Sequence, residues 1–466
     1  MKIALNLNTM LLAPVLALLA ACGGGGDGDS TSTPTTPTTP AAATLQSIVV
    51  TPANPTVTVG LTQQMVATGT YSDGKTSAIS TGITWSAKGT NITVISGTGL
   101  VTGKAPGADT VTATVGTVTA STDITVKAPW AVVAAGGNHT LSRHADGNLY
   151  SWGWNRQGQL GDGTTIDHGK PAVVAGGVTT WRQVAGGELH TLALRADGTL
   201  WAWGYNQNGQ LGDGTTVDKP TPVKIGTATD WVYVAAGKSH SLAINKAGAL
   251  WAWGRNFNGQ LGDGAKIDRL APVKIGTDTW TMVSAGATHS LGRRSDGALM
   301  AWGRSGTSDV LAPARIGTLT WASVSAGGTH SAAIRADGTL WAWGDNSSSQ
   351  LGTVSTANAT TPQQVGTASN WSVVAAGLAH TLAVRTDGTL WGWGSNSNGQ
   401  VGNGATVNAA QPVQIGDATT WVTVGAGLQH GVALQKDNTM WTWGRNAEGQ
   451  LGNGTLIDAN APLNVP

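Results

Sequence analysis

The chain has 466 residues, of which 67 are Gly and only 11% are charged; Gly is about twice, and charge under half, the usual share. With 40% apolar residues it can still bury a core, which excludes a wholly disordered chain. A formal net charge of +1 offers no global field for nucleic acid, and a single Cys excludes an intramolecular disulfide or a Cys-rich metal site.

The chain opens with an export signal over residues 1–21. Lys2 gives a thin positive start, and Met10 to Ala21 is an apolar run too short to span a bilayer as a mature helix. It ends Leu19-Ala20-Ala21 directly before the sole thiol, Cys22. This segment resembles a bacterial lipoprotein signal, which implies cleavage before Cys22 and acylation of its thiol. An ordinary secretory signal with an incidental Cys is the competing reading. Acylation would anchor the protein to a membrane without spanning it. Gly23 rather than Asp follows, and in Gram-negative lipoproteins that implies the outer membrane. Residues 22–43, Gly-rich and then Thr-Pro-rich, read as a tether that reaches roughly 60 Å at ~3.1 Å per residue.

Residues 44–127 change character. Short β-branched runs such as Ser47–Val50, Met65–Ala67, Val111–Val115 and Ile124–Val126, separated by turn residues, predict a small β-sandwich. Across essentially its full length this segment resembles the group 2 bacterial immunoglobulin-like domain. With no paired Cys, Trp85 is expected in its core. Such domains serve as spacers or adhesive modules, and spacer is the simpler expectation.

From Trp130 the chain repeats. His139, His190, His240, His289, His330, His380 and His430 recur at intervals of 51, 50, 49, 41, 50 and 50 residues. Each follows an Ala-Gly or Gly-Gly and precedes a Trp-Gly pair (Trp152, Trp203, Trp253, Trp302, Trp343, Trp393, Trp443). Seven further Trp, from Trp130 to Trp421, open the units, so most of the 21 Trp belong to one repeated motif. A fixed period near 50 means a solenoid or a propeller. Each unit holds four candidate strands, with Asp-Gly signals such as Asp197-Gly198 and Asp387-Gly388 predicting two-residue hairpin turns. Helical periodicity is absent. The expectation is all-β: a seven-bladed β-propeller over 130–466 behind the small immunoglobulin-like sandwich. Residues Pro462–Val465 are expected to return to the first blade and latch the ring, because no copy of that strand precedes Trp130.

The motifs AGxxHTLAL, DGTLWAWGxNxxGQLGDG and PVKIG make residues 130–466 closely similar to the repeats of the regulator of chromosome condensation family. The family's eukaryotic founder exchanges guanine nucleotide on a Ran-type GTPase and binds nucleosomes. Export, 21 Lys+Arg against 20 Asp+Glu in the propeller, and repeat spacings that leave no room for an inserted wedge argue against carrying that over. Other bacterial propellers with similar repeats are secreted protein binders, including an inhibitor of β-lactamases.

Chemistry-bearing constellations are few. Seven His at equivalent positions of different blades do not imply convergence on a metal, and a structural role is expected. The pairs Asp162/Asp167, Asp213/Asp218 and Asp263/Asp268 look faintly calcium-like, but Asn403/Asn408 stands in the sixth unit, so they read as turn residues. His144 and His168 fall outside the pattern, among turn or loop residues. Neither a phosphate-binding Gly loop nor a nucleophile elbow occurs, and no cofactor is expected.

Information sits where the repeats disagree. The fourth unit reads WGRSGTSDVLAPARIG and lacks the whole N-x-x-G-Q-L-G-x-G loop. Around the gap lie Arg293, Arg294, Arg304 and Arg315, with Asp309. This sector is expected to form a rim notch that docks a partner, with drift of a tolerant loop as the alternative. Trp154, an off-pattern copy, is expected to be exposed on the rim as a candidate partner-binding residue that stacks on a sugar or a protein. The function expected is a non-catalytic cell-envelope lipoprotein, held to the membrane through Cys22, whose propeller binds a protein. Carbohydrate binding is the second reading, and a polysaccharide-acting enzyme or a nucleotide exchange factor the least supported. Nucleic acid is not an expected partner.

Overall fold

Between Leu45 and Lys127, apolar and polar residues alternate along the longer strands, so one face of each of those strands packs inward. In Gly107–Val115, Val111 and Ala113 are buried while the intervening Thr residues are not. The computed structural model describes residues 42–465, and within them it contains strands and no helix. The leader, Cys22 and nearly all of the tether lie outside the described residues. The first unit carries one three-stranded sheet (Leu45–Thr51, Val66–Tyr71, Thr76–Ala78), one four-stranded sheet and a second three-stranded sheet. Together they enclose Met65, Trp85, Val101, Val111, Ile124 and Val126. Trp85 is a core residue, only 4% exposed. Gly99 lies against its indole with φ +69°, where a β-carbon would come within 2.6 Å of the ring.

The repeats fold into four-stranded antiparallel blades, a to d in chain order. In blade 2 these are Trp181–Gly186, His190–Arg195, Leu200–Gly204 and Lys219–Lys224. The a strands of successive blades touch and line the axis, which demands the small residues found at their ends. The b–c connection differs from the two-residue turn expected. Arg195 N–H donates to Thr199 O at 3.1 Å, leaving a three-residue loop with Gly198 at φ +78°. Asp197 Oδ1 accepts from Thr199 N–H at 3.0 Å, so Asp-Gly here marks a type I turn closed by a left-handed residue. A β-carbon on Gly198 would strike the Thr229 carbonyl.

Five blades are separate four-stranded sheets. The remaining two, blades 4 and 5, share one seven-stranded sheet, because Ser308–Ala326 is outer strand d of blade 4 and runs on into inner strand a of blade 5. The expected latch is not formed. Ala459–Val465 pairs with Met440–Gly444 of its own blade, and blade 1 has its own outer strand, His168–Val173. The ring closes instead through one more ordinary seam. There Leu428 N–H donates to Gly137 O at 3.0 Å and Trp152 Nε1–H to Gln450 O at 3.0 Å, while Trp130, Trp152, Val432, Leu434, Met440 and Val465 form a shared core.

Candidate functional site

One face of the propeller carries the a–b and c–d loops; the other carries the b–c turns and the d–a connections. The loop face owes its shape to one buried side chain per c–d loop. In blade 2 this is Asn206: its Oδ1 accepts from Leu211 N–H at 3.0 Å, and its Nδ2 donates to Asp213 Oδ1 and Thr215 O, both at 3.0 Å. Asp218 Oδ1 accepts from Asn206 N–H at 2.8 Å. In blade 6, Asn403 and Asn408 take the same places, at 3.2 and 3.0 Å from Asn396. The acidic pairs are therefore loop struts, as their neutral replacements suggested.

The folded loop closes the seam to the next blade. Leu211 is fully buried, and Gln210 O accepts from both Trp253 Nε1–H (2.9 Å) and Ser241 Oγ–H (2.7 Å). Ser241 in turn bonds His190 Nε2 at 2.9 Å. Similar His–hydroxyl contacts run from blade to blade, including His430 to Thr140 across the closing seam at 3.0 Å. His380 alone faces a glycine, Gly431, at that position, and its Nε2 has no partner. Burial pushes the pKa of His139, His190, His240, His330 and His430 down to about 3, and that of His289 and His380 to about 4. All seven are buried neutral, and the six other than His380 are struts between blades. Among the described residues no three His, Cys, Asp or Glu side chains gather as a metal site would require.

Two expectations need correction. His144 is not in a loop: it ends strand b of blade 1, buried, with its ring 4.0 Å from that of Trp130. Its pKa is pushed down to about 4, chiefly by burial. His168 opens an outer strand and pairs with Asp162 at 2.7 Å. Trp154 is not an exposed rim residue either. It is half-buried, with its indole nitrogen shielded from solvent, and its backbone N–H donates to Asn138 O at 2.9 Å.

The position held by Trp154 recurs on the loop face as Tyr205, Arg255, Arg304, Asp345, Ser395 and Arg445, each on an otherwise repeated frame. Next to Arg255 stands the sole Phe, Phe257, at 65% exposure; no Trp or Tyr of the described residues is exposed to that degree.

The arginines of the fourth unit do not form one sector. Strands b and c are antiparallel, so Arg293 and Arg294 lie at the turn-face end, while Arg304 and Asp309 pair at the loop-face tip of the c–d hairpin. Arg293 donates from Nε to Trp321 O and from Nη1 to Thr281 Oγ1, tying blade 4 to blade 5. Arg294 pairs with Asp278 and Asp296 at 3.2 and 3.4 Å. Arg304 holds Asp309 at 2.9 Å, with Lys266 at 2.6 Å on the other oxygen; these bonds hold the Asp309 carboxyl well below the ordinary carboxylate range. Arg315, nearer the turn face, donates to the carbonyls of Gly317 and Thr318.

The lost loop leaves its mark between blades 4 and 5. A cavity of about 340 Å³ opens there, walled by Leu291, Val310, Ile316, Trp343 and Pro362, with Arg304 and Arg315 at its edge. At the other six seams a loop glycine lies on the repeated Trp ring of the next blade, as Gly161 does on Trp203. Trp343 has none. Sequence reasoning located the gap but missed Ser331, Trp343 and Thr360, which line it. Their signal was available only by asking which residues of the next unit the missing loop would have covered.

These features define a repeat β-propeller with one irregular seam and a non-uniform loop face, behind an immunoglobulin-like sandwich. The model of the regulator of chromosome condensation (RCC1) repeat matches residues 146–194, 197–244, 247–292, 337–384, 387–434 and 437–466, more than half of the chain, and the chain belongs to that family. The stretch 293–336, which contains the shortened hairpin, is unmatched by it. The bacterial Ig-like domain (group 2) matches residues 44–126. The ultraviolet-B receptor UVR8 of Arabidopsis thaliana is 41% identical over 95 residues, 20% of this chain and 22% of the receptor; the match thus spans about a fifth of that relative. Among solved structures, human WBSCR16 is similar with a TM-score of 0.62 at 22% identity, covering 68% of this chain and 94% of its own. Prp20p of Saccharomyces cerevisiae, whose structure was reported with its binding to Gsp1p and histones, has a TM-score of 0.62 at 23% identity, covering 73% and 87%. At these identities the likeness concerns the fold.

Proposed function

We propose that the protein is an exported, lipid-anchored, non-catalytic component of the bacterial cell envelope, whose sandwich spaces a protein-binding propeller from the membrane. The observation that carries the binding reading is the loop face: a repeated frame that presents Trp154, Tyr205, Arg255, Arg304, Asp345, Ser395 and Arg445 at one ring of positions, five residue types in seven blades. A frame that fixes the backbone while the presented groups vary suits recognition of one particular surface. Sugar stacking would need exposed aromatic faces, and Phe257 alone is largely exposed, so protein is the favoured partner class.

The test is cross-linking mass spectrometry of the full chain against envelope and secreted proteins. A saturable partner linked through Lys238 and Lys266 of the loop face, and not through Lys246 or Lys436 of the turn face, is expected. Saturable retention of polysaccharide with no protein captured would overturn the reading. The anchor has its own test. The wild-type chain should sediment with membranes and carry an acylated Cys22 at its mature N-terminus, while Cys22→Ser should move it to the soluble fraction; unchanged sedimentation would remove the lipid anchor from the proposal.

A further inference from the structure

At every seam but one, the c–d loop of one blade gives its neighbour a buried apolar side chain, flanked at most seams by two backbone hydrogen bonds. A Gln carbonyl accepts from the neighbour's Trp indole N–H in five cases, as Gln210 O does from Trp253 at 2.9 Å. An apolar side chain follows it (Leu160, Leu211, Leu261, Leu351, Val401 or Leu451), fully buried in the seam. Further along, a loop N–H donates to the neighbour's outer strand in five cases, as Gly163 does to Pro220 O at 2.9 Å and Gly214 to Leu270 O at 2.9 Å.

Blade 5 is built to receive the same set, and blade 4 does not supply it. Ser331 Oγ holds His289 Nε2 at 3.0 Å, as its counterparts do, but no Gln carbonyl is there to take the hydroxyl proton. Trp343 Nε1 has no acceptor among the described residues, and its indole faces the cavity. The backbone level that carries Pro220 in blade 2 carries Thr360 in blade 5, on the cavity wall and without a loop N–H. His289 is 7% exposed where the other six ring histidines are fully buried. The 340 Å³ cavity is within the size range of ligand sites.

We propose that this cleft receives a peptide segment of the protein partner, one that supplies in trans what the lost loop supplied in cis. The segment presents a backbone carbonyl to Trp343 Nε1–H and Ser331 Oγ–H, then a leucine-sized side chain against Leu291, Val310 and Trp343, then an N–H to Thr360 O. A carbonyl acceptor, an apolar side chain and an N–H donor occur in that order along a polypeptide and not along a sugar or a lipid chain. Arg315 at the edge donates to the Gly317 and Thr318 carbonyls and forms no ion pair among the described residues, which favours an acidic residue flanking the leucine. The inference rests on the protein-binding reading and adds where on the propeller, and to what chemistry, the partner binds.

The probe is the chain's own loop, a fluorescein-labelled peptide of residues 206–214 (NQNGQLGDG), titrated by fluorescence anisotropy against the full chain. Saturable binding is expected, at least tenfold weaker when the peptide's Leu is replaced by Gly, and at least tenfold weaker on Trp343→Phe, which keeps the ring and removes the donor. A variant of the chain in which residues 304–309 are replaced by the blade 3 loop, residues 255–268, should lose binding altogether. It should melt at or above the wild-type temperature, because it restores a seam. Equal binding to the loop-restored variant, indifference to the Leu, or no binding at millimolar peptide would each overturn the cleft. A cross-linked partner that still binds the loop-restored variant would overturn it while leaving the propeller a protein binder. Capture of no protein partner at all would sink the broader reading, independently of the peptide titration.

Discussion

The propeller is expected to unfold in mild acid with the uptake of about eight protons, seven of them on the ring histidines, while the sandwich does not. Its ring histidines have an ordinary pKa near 6.5, and burial lowers it to about 3 for five and about 4 for two. The folded state thus keeps them neutral where the unfolded chain would protonate them. Stability is full above pH 6.5 and falls as pH drops from 6.5 towards 4, because the unfolded state binds more protons throughout that window. Each histidine contributes a slope of roughly 1.4 kcal/mol per pH unit, so seven together approach roughly 10 kcal/mol per unit. That is comparable with the whole stability of ordinary domains, and half-unfolding near pH 5 follows. His144, lowered to about 4, adds to the same slope. The sandwich, residues 44–127, contains no His and serves as an internal control. Differential scanning calorimetry from pH 7.5 to 4.5 checks both parts: the propeller transition should move down steeply and the sandwich transition should stay. A propeller transition that holds its temperature to pH 4.5, or an uptake near one proton, would show that the ring histidines are not buried neutral struts.

What the sequence made legible was whatever a single repeat encodes locally. The period, the Trp and His positions, the turn glycines and the core placement of Trp85 could all be read, because each rests on spacing within one unit or on burial pattern along one strand. What escaped was set between units. The hydroxyl that His190 bonds lies 51 residues away, on Ser241, and no local pattern names it. Arg293 and Arg304 look like neighbours of one gap. Yet the b and c strands between them run antiparallel, and five residues at ~3.3 Å each carry the two to opposite faces. Trp154 looked exposed because it breaks the pattern inside a loop, whereas its side chain is half-buried with the indole nitrogen shielded from solvent. The latch failed for a related reason. A missing strand before Trp130 suggested a swap, but the d strand of each unit follows its own c strand, so the count completes itself at Val465.

Replacing Asn206 with Ala should cost about 3–4 kcal/mol, the largest effect expected of any polar side chain on the loop face. The residue is fully buried, and its removal strands the Leu211 N–H and takes the side-chain donor from the Thr215 and Val217 carbonyls, while Asp213 keeps its bonds from Thr215 and Lys219. Each orphaned buried group costs roughly 1–3 kcal/mol. The loss extends beyond the loop, because Leu211 and the Gln210 carbonyl are held in the blade 2–3 seam only while the loop keeps its shape. Gln207, exposed on the same loop, should change stability by less than ~0.5 kcal/mol on substitution with Ala. Urea unfolding of the two variants measures the difference, and hydrogen exchange at the Trp253 indole reports the seam directly: it should speed up in Asn206→Ala and not in Gln207→Ala. Blade 4 tolerates the absence of its loop because Arg304, Asp309 and Lys266 brace the hairpin tip and the 19-residue strand Ser308–Ala326 joins its blade to the next without a break. Blade 2 has neither device. If Asn206→Ala proved as mild as Gln207→Ala, the loops would not be what holds the seams together, and the vacancy beside Trp343 would cease to specify the shape of what fills it.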